Sequence, residues 1–275
     1  MADPTPVVAL TIAGSDSSGG AGLQADLKTF AALGVYGASV VSALTAQNTL
    51  GVTGVHTVPA SFVTKQLDAV FSDLDVKAVK TGMLANAGII AAVADALRAR
   101  PGIPLVVDPV MVATSGDRLL QPDAVEVYRR ALFPLATLIT PNLPEAAALL
   151  GTAVATDLAG AEAQARALLA FGAGAVLVKG GHRAGPEAID VLAMSHEVVH
   201  VKAQWIDTSN THGTGCTLSA AIAAFLASGR SLVEAVEAAK RYLTGALAAA
   251  KSHTLGGGHG PVDHAFASRQ HPRLW

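Results

Sequence analysis

The sequence predicts an α/β fold, with a mostly parallel central sheet, helices on both faces and a small antiparallel hairpin at one edge. Short β-branched runs alternate along the chain with alanine-rich stretches of helical length. These runs are apolar throughout, which is typical of parallel strands buried on both faces. Near the end of the series, two strand-like runs flank Ser195-His196-Glu197, a pattern typical of a hairpin.

The predicted elements follow one another as repeated strand–helix units. Strands are predicted over residues 7–13, 39–44, 78–82, 105–110, 138–140 and 175–180. Helices are predicted over residues 22–33, 59–72, 88–100, 121–132, 144–150 and 160–171. The hairpin occupies residues 190–194 and 198–205, and helices 216–228 and 231–251 follow. No linker, repeat or low-complexity stretch interrupts this series, so residues 1–275 are predicted to form a single domain.

Composition excludes several classes of function. Hydrophobic residues make up 51% of the chain and charged residues 15%, with a net charge of -2, so no basic surface for nucleic acid is expected. The apolar runs are shorter than the ~20 residues of a membrane span. A single cysteine rules out an intrachain disulfide, and the first four residues do not resemble a secretion signal. A cytoplasmic protein without nucleic-acid or membrane partners is therefore expected.

Polar residues follow the predicted strands, where α/β proteins bind their ligands. They occupy residues 14–20, 47–48, 80–83, 108–116, 140–145 and 179–182. The carboxyl ends of parallel strands meet at one edge of a sheet. These segments are therefore expected to form one rim, with residues 212–216 facing them.

The segment from Asn210 to Thr217 is the strongest local signal. Gly213 and Gly215 frame Thr214 where a helix begins, so successive backbone N–H groups and the helix dipole can bind one anion. Cys216, in the first helical turn, is predicted to have a depressed pKa and to exist partly as thiolate. The alternative is a buried, inert thiol. An anion site beside a base suits phosphoryl transfer to a hydroxyl.

Known phosphate-binding motifs do not fit the loop over residues 14–22. Its glycines match a dinucleotide fingerprint, but no acidic residue ends the second strand to bind a ribose. The spacing from Gly14 to Gly19 matches a P-loop, yet Gly20-Ala21 replaces the required Lys-Ser/Thr. Two interpretations stay open, namely a ligand-contacting loop and a turn that needs positive φ.

Three charged residues at strand ends are candidates for phosphate and metal chemistry. Asp108 ends an apolar strand, and Glu145 begins a helix just after Asn142. Carboxylates at such positions suit Mg²⁺, which also binds water and phosphate oxygens; helix-capping roles are the alternative. Lys179 ends another apolar strand and suits pairing with nucleotide phosphates, unless it only extends to the rim. The nine histidines lack metal-ligand spacing and are predicted to be structural or exposed.

Together these residues resemble the ribokinase-like superfamily, and more closely the bacterial hydroxymethylpyrimidine/phosphomethylpyrimidine kinases of thiamine biosynthesis. The segments that carry the resemblance are residues 10–16, 19–30, 45–49, 80–84, 108–111, 140–146, 179–182, 211–216 and 258–264. They span almost the whole chain. The set is far more specific than a lone glycine pattern.

The resemblance implies a ribokinase-like fold and two ATP- and Mg²⁺-dependent transfers. The first would phosphorylate 4-amino-5-hydroxymethyl-2-methylpyrimidine, and the second would convert its monophosphate to the diphosphate. By position, the resemblance assigns aminopyrimidine recognition to Gln47, whose amide can both donate and accept. It assigns the ring pocket to Ala21, Met83 and Val110.

The resemblance also assigns the residues that handle phosphate. The anion hole for the transferred group would comprise Gly213, Thr214, Gly215 and Cys216, of which Thr214 would also contact the nucleotide. Mg²⁺ would be held with the help of Asp108 and Glu145. Lys179 would lie near the nucleotide phosphates, and Asn142 in the same neighbourhood. Sugar kinases of the superfamily usually have an aspartate base where this chain has Cys216, whereas the pyrimidine kinases share the cysteine.

Other possibilities stay open at this point. A pyridoxal kinase is the nearest alternative, since pyridoxal also carries a hydroxymethyl group on an aromatic ring. A hydroxyethylthiazole kinase is more distant, and a non-catalytic vitamin-binding regulator belongs to another class. The loop over residues 113–118 is interpreted either as a flap, with Arg118 neutralising phosphate in the second transfer, or as a solvated loop. Family resemblance also implies a homodimer.

Overall fold

All described strands join one nine-stranded sheet in the computed structural model, which describes residues 5–111, 124–180 and 186–267. The spatial order is β3-β2-β1-β4-β5-β6-β7-β8-β9. The strands are β1 (Val8–Asp16), β2 (Tyr36–Asn48), β3 (Gly51–Thr57), β4 (Val76–Thr81), β5 (Leu105–Val107), β6 (Leu138–Ile139), β7 (Ala175–Val178), β8 (Glu187–Met194) and β9 (Val198–Gln204). The six strands from β2 to β7 in this order run parallel.

Helices cover both faces of the sheet, as predicted. They are α1 (Gly22–Ala32), α2 (Ala60–Phe71), α3 (Ala87–Arg98), α4 (Ala124–Val127), α5 (Leu143–Leu150), α6 (Leu158–Leu168), α7 (Thr214–Ala227) and α8 (Leu232–Ala250). Two apolar cores result, one beneath α1, α7 and α8 and the other beneath α2, α3, α5 and α6. Neighbouring strand residues alternate between them, since Val106 belongs to the first core and Val107 to the second.

The edges of the sheet differ partly from the prediction. The hairpin of β8 and β9 is present, with β8 antiparallel to β7. The opposite edge is also antiparallel, because β3 folds back on the end of β2. Sequence analysis missed β3, although Val52, Thr53 and Val55 provide β-branched side chains around its glycines.

The helix predicted over residues 121–132 is less regular than expected. Its described part begins at Ala124, and after α4 the chain forms a π turn (Tyr128–Leu132) and a 3₁₀ turn (Phe133–Leu135). Pro134 has no backbone N–H for a helical hydrogen bond, so a regular helix ends here. Strand β5 is also shorter than predicted and ends at Val107, two residues before Pro109.

Helix α7 fixes the position of the candidate site. Its residues from Thr217 to Ala224 are all buried, and most are alanine, serine or threonine. These small side chains let the helix pack closely between the sheet and helices α1 and α8. The amino-terminal end of α7 is thereby held against the carboxyl ends of the central strands. Among the described residues, no helix has the length and apolarity needed to cross a bilayer.

Candidate active site

A cavity of about 800 Å³ opens at the carboxyl ends of the parallel strands. All the site residues named from the sequence line it, namely Ala21, Gln47, Met83, Asp108, Val110, Asn142, Glu145, Lys179, Gly213, Thr214, Gly215 and Cys216. The strand order places these residues on two opposite sides of the cavity. Gln47 lies near the carboxyl end of β2, whereas Lys179 directly follows β7, which is five positions away in the sheet. Residues 113–118, including Arg118, and 181–182 lie outside the described residues.

The amino-terminal end of α7 has a glycine cap at the point where the sequence predicted an anion-binding loop. Gly213 is the N-cap, with φ 79°, and no side chain caps the first turn by hydrogen bonding. A Cβ atom at this position would overlap the carbonyl oxygen of Gly20, so both the backbone angle and the space require glycine. The Thr214 N–H donates to the Thr211 carbonyl at 3.2 Å, and the N–H groups at the start of a helix suit a phosphoryl group.

Asp16 connects the two glycine-rich loops. Its carboxylate accepts hydrogen bonds from the backbone N–H groups of Ser18, Gly20 and Ala21, and it lies 2.8 Å from His212 Nε2. Burial opposes ionisation, but these hydrogen bonds outweigh it and lower the pKa of Asp16. Asp16 and His212 are 196 residues apart, so sequence analysis placed both in loops but missed their contact.

Lys179 lies among carboxylates. Its Nζ is 2.9 Å from Asp108 Oδ1 and 4.0 Å from Glu145 Oε2. Asp108 also accepts hydrogen bonds from Thr140 and Ser219. Burial lowers the pKa of Lys179, but the two carboxylates outweigh it and raise that pKa, so the lysine is charged. Burial raises the pKa of Glu145 to about 7, since Lys179 offsets only part of this effect and Asp108 adds to it.

The same carboxylates fit the donor set of Mg²⁺. Within the described ranges, no group of three or more His, Cys, Asp or Glu side chains is placed to hold a metal ion. Asp108 and Glu145 provide two carboxylates, and Mg²⁺ typically binds through one or two of these plus water and substrate phosphates. The residues therefore fit a metal that is bound together with a nucleotide.

Asn142 and Glu145 form a capping box at the start of α5. Asn142 Oδ1 accepts from the Glu145 N–H at 2.8 Å, and Glu145 Oε2 accepts from the Asn142 N–H at 2.8 Å. The cap satisfies two backbone donors at the helix end and fixes the direction of both side chains. The helix-capping role considered from the sequence is therefore present. Both residues also line the cavity, so capping and a role at the site are compatible.

The predicted depression of the Cys216 pKa is wrong. Burial raises the pKa of the thiol to about 11; the positive charge of Lys80 opposes this rise, and the carboxylates of Asp26 and Asp108 add to it. The helix end favours a thiolate, but loss of solvent is the larger effect here. Cys216 is therefore a neutral thiol near pH 7.

Alkylation should report this raised pKa, because Cys216 is the sole cysteine in the chain. With a pKa of about 11, the thiolate fraction at pH 8 is about one part in a thousand. The rate of reaction with iodoacetamide should rise about tenfold per pH unit from pH 7 to 10. A rate that levels off near pH 8.5, as free cysteine does, would show that the thiol is not shifted.

A buried ion pair that sequence analysis missed lies near Cys216. Lys80 Nζ is 2.8 Å from Asp26 Oδ2, and both side chains are fully buried. Asp26 also accepts a 2.6 Å hydrogen bond from Thr11. Lys80 lies in a buried strand, and Asp26 lies on the buried face of α1. Two charged residues at core positions were therefore the feature of the sequence that could have predicted this pair.

Polar contacts from β2 and from the loop after β1 fix the Gln47 side of the cavity. Gln47 Oε1 accepts a 3.0 Å hydrogen bond from Thr45, and the Ser17 hydroxyl bonds to the backbone N–H and C=O of Gln47. Ser42 similarly donates to the carbonyl of Met83. These contacts hold an amide beside apolar side chains, which suits a flat heteroaromatic ring.

Comparison with known proteins shows which kinases this chain is similar to. A hydroxymethylpyrimidine/phosphomethylpyrimidine kinase of Rhizobium meliloti is 61% identical over 94% of this chain and 96% of its own length. The crystal structure of a phosphomethylpyrimidine kinase from Clostridium difficile covers 86% of this chain and 98% of its own, with 44% identity and TM-score 0.76. An ADP complex of Bacillus subtilis pyridoxal kinase covers 96% and 99%, with 37% identity and TM-score 0.88.

The doubly covered sheet, with a glycine-capped helix end next to a strand-end lysine, defines a small-molecule kinase of the ribokinase-like class. The family model described as phosphomethylpyrimidine kinase matches residues 16–263. The chain belongs to the phosphomethylpyrimidine kinase family.

Proposed function

We propose that this kinase phosphorylates 4-amino-5-hydroxymethyl-2-methylpyrimidine with ATP and then phosphorylates the monophosphate to the diphosphate, in thiamine biosynthesis. The observation that carries the proposal is a cavity lined together by the amide of Gln47, the glycine-capped end of α7 and the partly buried Lys179. The Rhizobium meliloti relative, at 61% identity, carries both kinase activities in its name.

The acceptor would bind in the pocket of Ala21, Gln47, Met83 and Val110. The Gln47 amide would donate to a ring nitrogen and accept from the exocyclic amine. Met83 and Val110 would cover the faces of the ring with apolar surface. The transfer proposed here requires the hydroxymethyl group to point from this pocket toward Cys216 and the helix end.

The donor would bind on the other side, where Lys179 would contact the nucleotide phosphates and Thr214 the transferred group. The Bacillus subtilis relative binds ADP in a fold that covers 96% of this chain. When bound, Mg²⁺ would neutralise phosphate oxygens, with Asp108 and Glu145 holding it. Asn142 would lie beside the same phosphates.

Catalysis would rest on position and charge. Phosphoryl transfer has a loose transition state, so the backbone N–H groups of residues 213–216 would stabilise the charge on the transferred group. Cys216 would lie next to the attacking hydroxyl. Its minor thiolate form, whose proton has passed to solvent, would accept the hydroxyl proton as the new O–P bond forms and the bond to the leaving ADP breaks.

Phosphorus NMR tests the proposal directly. ATP and Mg²⁺ are incubated with the hydroxymethylpyrimidine, and with pyridoxal in a parallel tube. Monophosphate followed by diphosphate in the first tube is the expected result. Product from pyridoxal alone would contradict the assignment of Gln47 and favour a pyridoxal kinase. Ligand binding without product in either tube would favour a non-catalytic regulator.

Pyridoxal phosphorylation is the second candidate activity, and a specific observation favours it. The pyridoxal kinase of Bacillus subtilis superposes with a TM-score of 0.88, against 0.76 for the Clostridium difficile phosphomethylpyrimidine kinase. Sequence identity instead favours the phosphomethylpyrimidine kinase, at 44% against 37% for the pyridoxal kinase. Because the ring pocket depends on side chains more than on backbone, the pyrimidine is the better-supported acceptor.

Replacing the cysteine tests its part in the transfer. Cys216→Ala should slow turnover by about 10²-fold, the lower end of the usual effect of a lost proton acceptor. Nucleotide affinity should be nearly unchanged, because the backbone N–H groups of the loop persist. Steady-state kinetics and ADP titration measure the two effects. Turnover near the parental value would show that Cys216 is not the proton acceptor.

We further propose a cytoplasmic homodimer in which residues 1–275 form one kinase domain. The single sheet that joins all described strands supports one domain. Low charge and the absence of a basic excess support a small-molecule partner over nucleic acid.

A further inference from the structure

A second buried ion pair lies behind the candidate phosphate site. Lys240 Nζ, on α8, is 2.6 Å from Asp190 Oδ2, on β8. Both residues are buried, with exposures of 6% and 2%, and both line the cavity on the side of Lys179. Neither residue was singled out from the sequence or enters the transfer proposed above.

The other oxygen of Asp190 reaches the backbone next to Lys179. Asp190 Oδ1 accepts a 2.9 Å hydrogen bond from the N–H of Gly180. Pairing between β7 and β8 ends at Val178 and Val191, so this side chain replaces the sheet partner that Gly180 lacks. A Cβ atom at Gly180 would also overlap the carbonyl oxygen of Ile189, which confines the chain at this point.

The backbone of Lys179 is held from its other side as well. Its N–H donates to the carbonyl of Pro141 at 2.9 Å, and a parallel bridge pairs it with Asn142. Lys179 is thus fixed between the start of α5, which carries Glu145, and the Gly180–Asp190–Lys240 contacts. A shift on either side would change the position from which the Lys179 side chain extends to Asp108.

Energetics favour a positional role for the pair. Removing two charges from water is costly, and apolar residues of similar size often give equal or greater stability. The benefit of Asp190 therefore lies in where its two oxygens point, one toward Lys240 and one toward the Gly180 N–H. Lys240 keeps the carboxylate oriented, as outer partners orient the residues of other functional sites.

We propose that Asp190 and Lys240 are positioning residues that set the place of Lys179 through the Gly180 N–H during phosphoryl transfer. The proposal rests on the proposed function, in which Lys179 contacts the phosphates. The acceptor oxygen on residue 190, more than its charge, carries the effect.

Two uncharged double variants separate the acceptor from the charge. Asp190→Asn/Lys240→Met keeps an oxygen that can accept from Gly180, whereas Asp190→Leu/Lys240→Met has a similar size and no acceptor. We expect kcat within about threefold of the parental value for the first and at least about tenfold lower for the second. The KM for the pyrimidine should be similar in both. Where the leucine variant does not fold, Asp190→Met/Lys240→Met replaces it.

Amide exchange of Gly180, measured by ¹⁵N-resolved NMR, gives a readout that does not depend on catalysis. Protection should persist in the asparagine double variant and fall at least tenfold in the leucine one, at matched thermal stability. Equal kcat and equal amide exchange in the two variants would overturn the proposal. A loss of kcat that only parallels a loss of thermal stability, measured as Tm, would also overturn it. If the proposed function is wrong, the parental enzyme will form no product. The difference in Gly180 amide exchange between the two variants will still be present.

Discussion

Replacing Lys179 by methionine is expected to lower kcat about a thousandfold. The ammonium group lies 2.9 Å from Asp108 and 4.0 Å from Glu145, within a buried site that burial makes electrostatically strong. Its loss removes the positive charge proposed to contact the phosphates, and charge stabilisation in such sites contributes about 10²–10³-fold per group. Steady-state kinetics of the first transfer measures the effect.

Two controls define the origin of this loss. Lys202→Met removes a lysine from an exposed pair with Glu187 and should leave kcat unchanged. Lys179→Arg keeps the charge but changes its geometry, and should recover only part of the rate. A loss below tenfold for Lys179→Met, in a protein with unaltered near-ultraviolet circular dichroism, would refute the assignment of Lys179 to the phosphates.

Breaking the Lys80–Asp26 pair should produce the largest change in stability. Lys80→Met leaves a buried carboxylate with its counter-ion removed, and such changes cost about 3–5 kcal/mol. Asp26→Leu should cost a similar amount, since it leaves the Lys80 ammonium buried alone. Guanidinium unfolding measures the free energy of unfolding for each variant.

The double variant Lys80→Met/Asp26→Leu should be more stable than either single variant, because no uncompensated charge remains. Lys77→Met is the matched surface control on the same strand; its partner Asp75 is 80% exposed at the side chain, and the change should cost at most about 1 kcal/mol. Strictly additive losses in the double variant would contradict a coupled buried pair.

The strands differ in how well the sequence predicted them. Largely apolar runs located β1, β2, β4, β5, β6 and β7 to within a few residues, because a strand buried on both faces needs mostly apolar side chains. Strand β3 was missed because it is an edge strand with mostly exposed residues and two glycines. Such a strand forms because β2 offers it a partner, which is a tertiary condition.

Local signals also located the candidate site. Glycines before a helix, and polar residues after apolar strands, identified the residues that line the cavity, since parallel strands place their carboxyl ends together. The Cys216 pKa was predicted with the wrong sign. The helix end is visible in the sequence, whereas the burial that raises the pKa depends on how α7 packs against the sheet.

The sequence by itself determined the α/β class, the order of the elements, the family resemblance and the rim on which the site residues lie. These properties follow from periodicity and from residues that are close in the chain. The tertiary structure decided the pairs between distant charges, namely Asp16 with His212, Asp26 with Lys80 and Asp190 with Lys240. Burial and pairing of these charges depend on packing between separate elements, which local patterns do not encode.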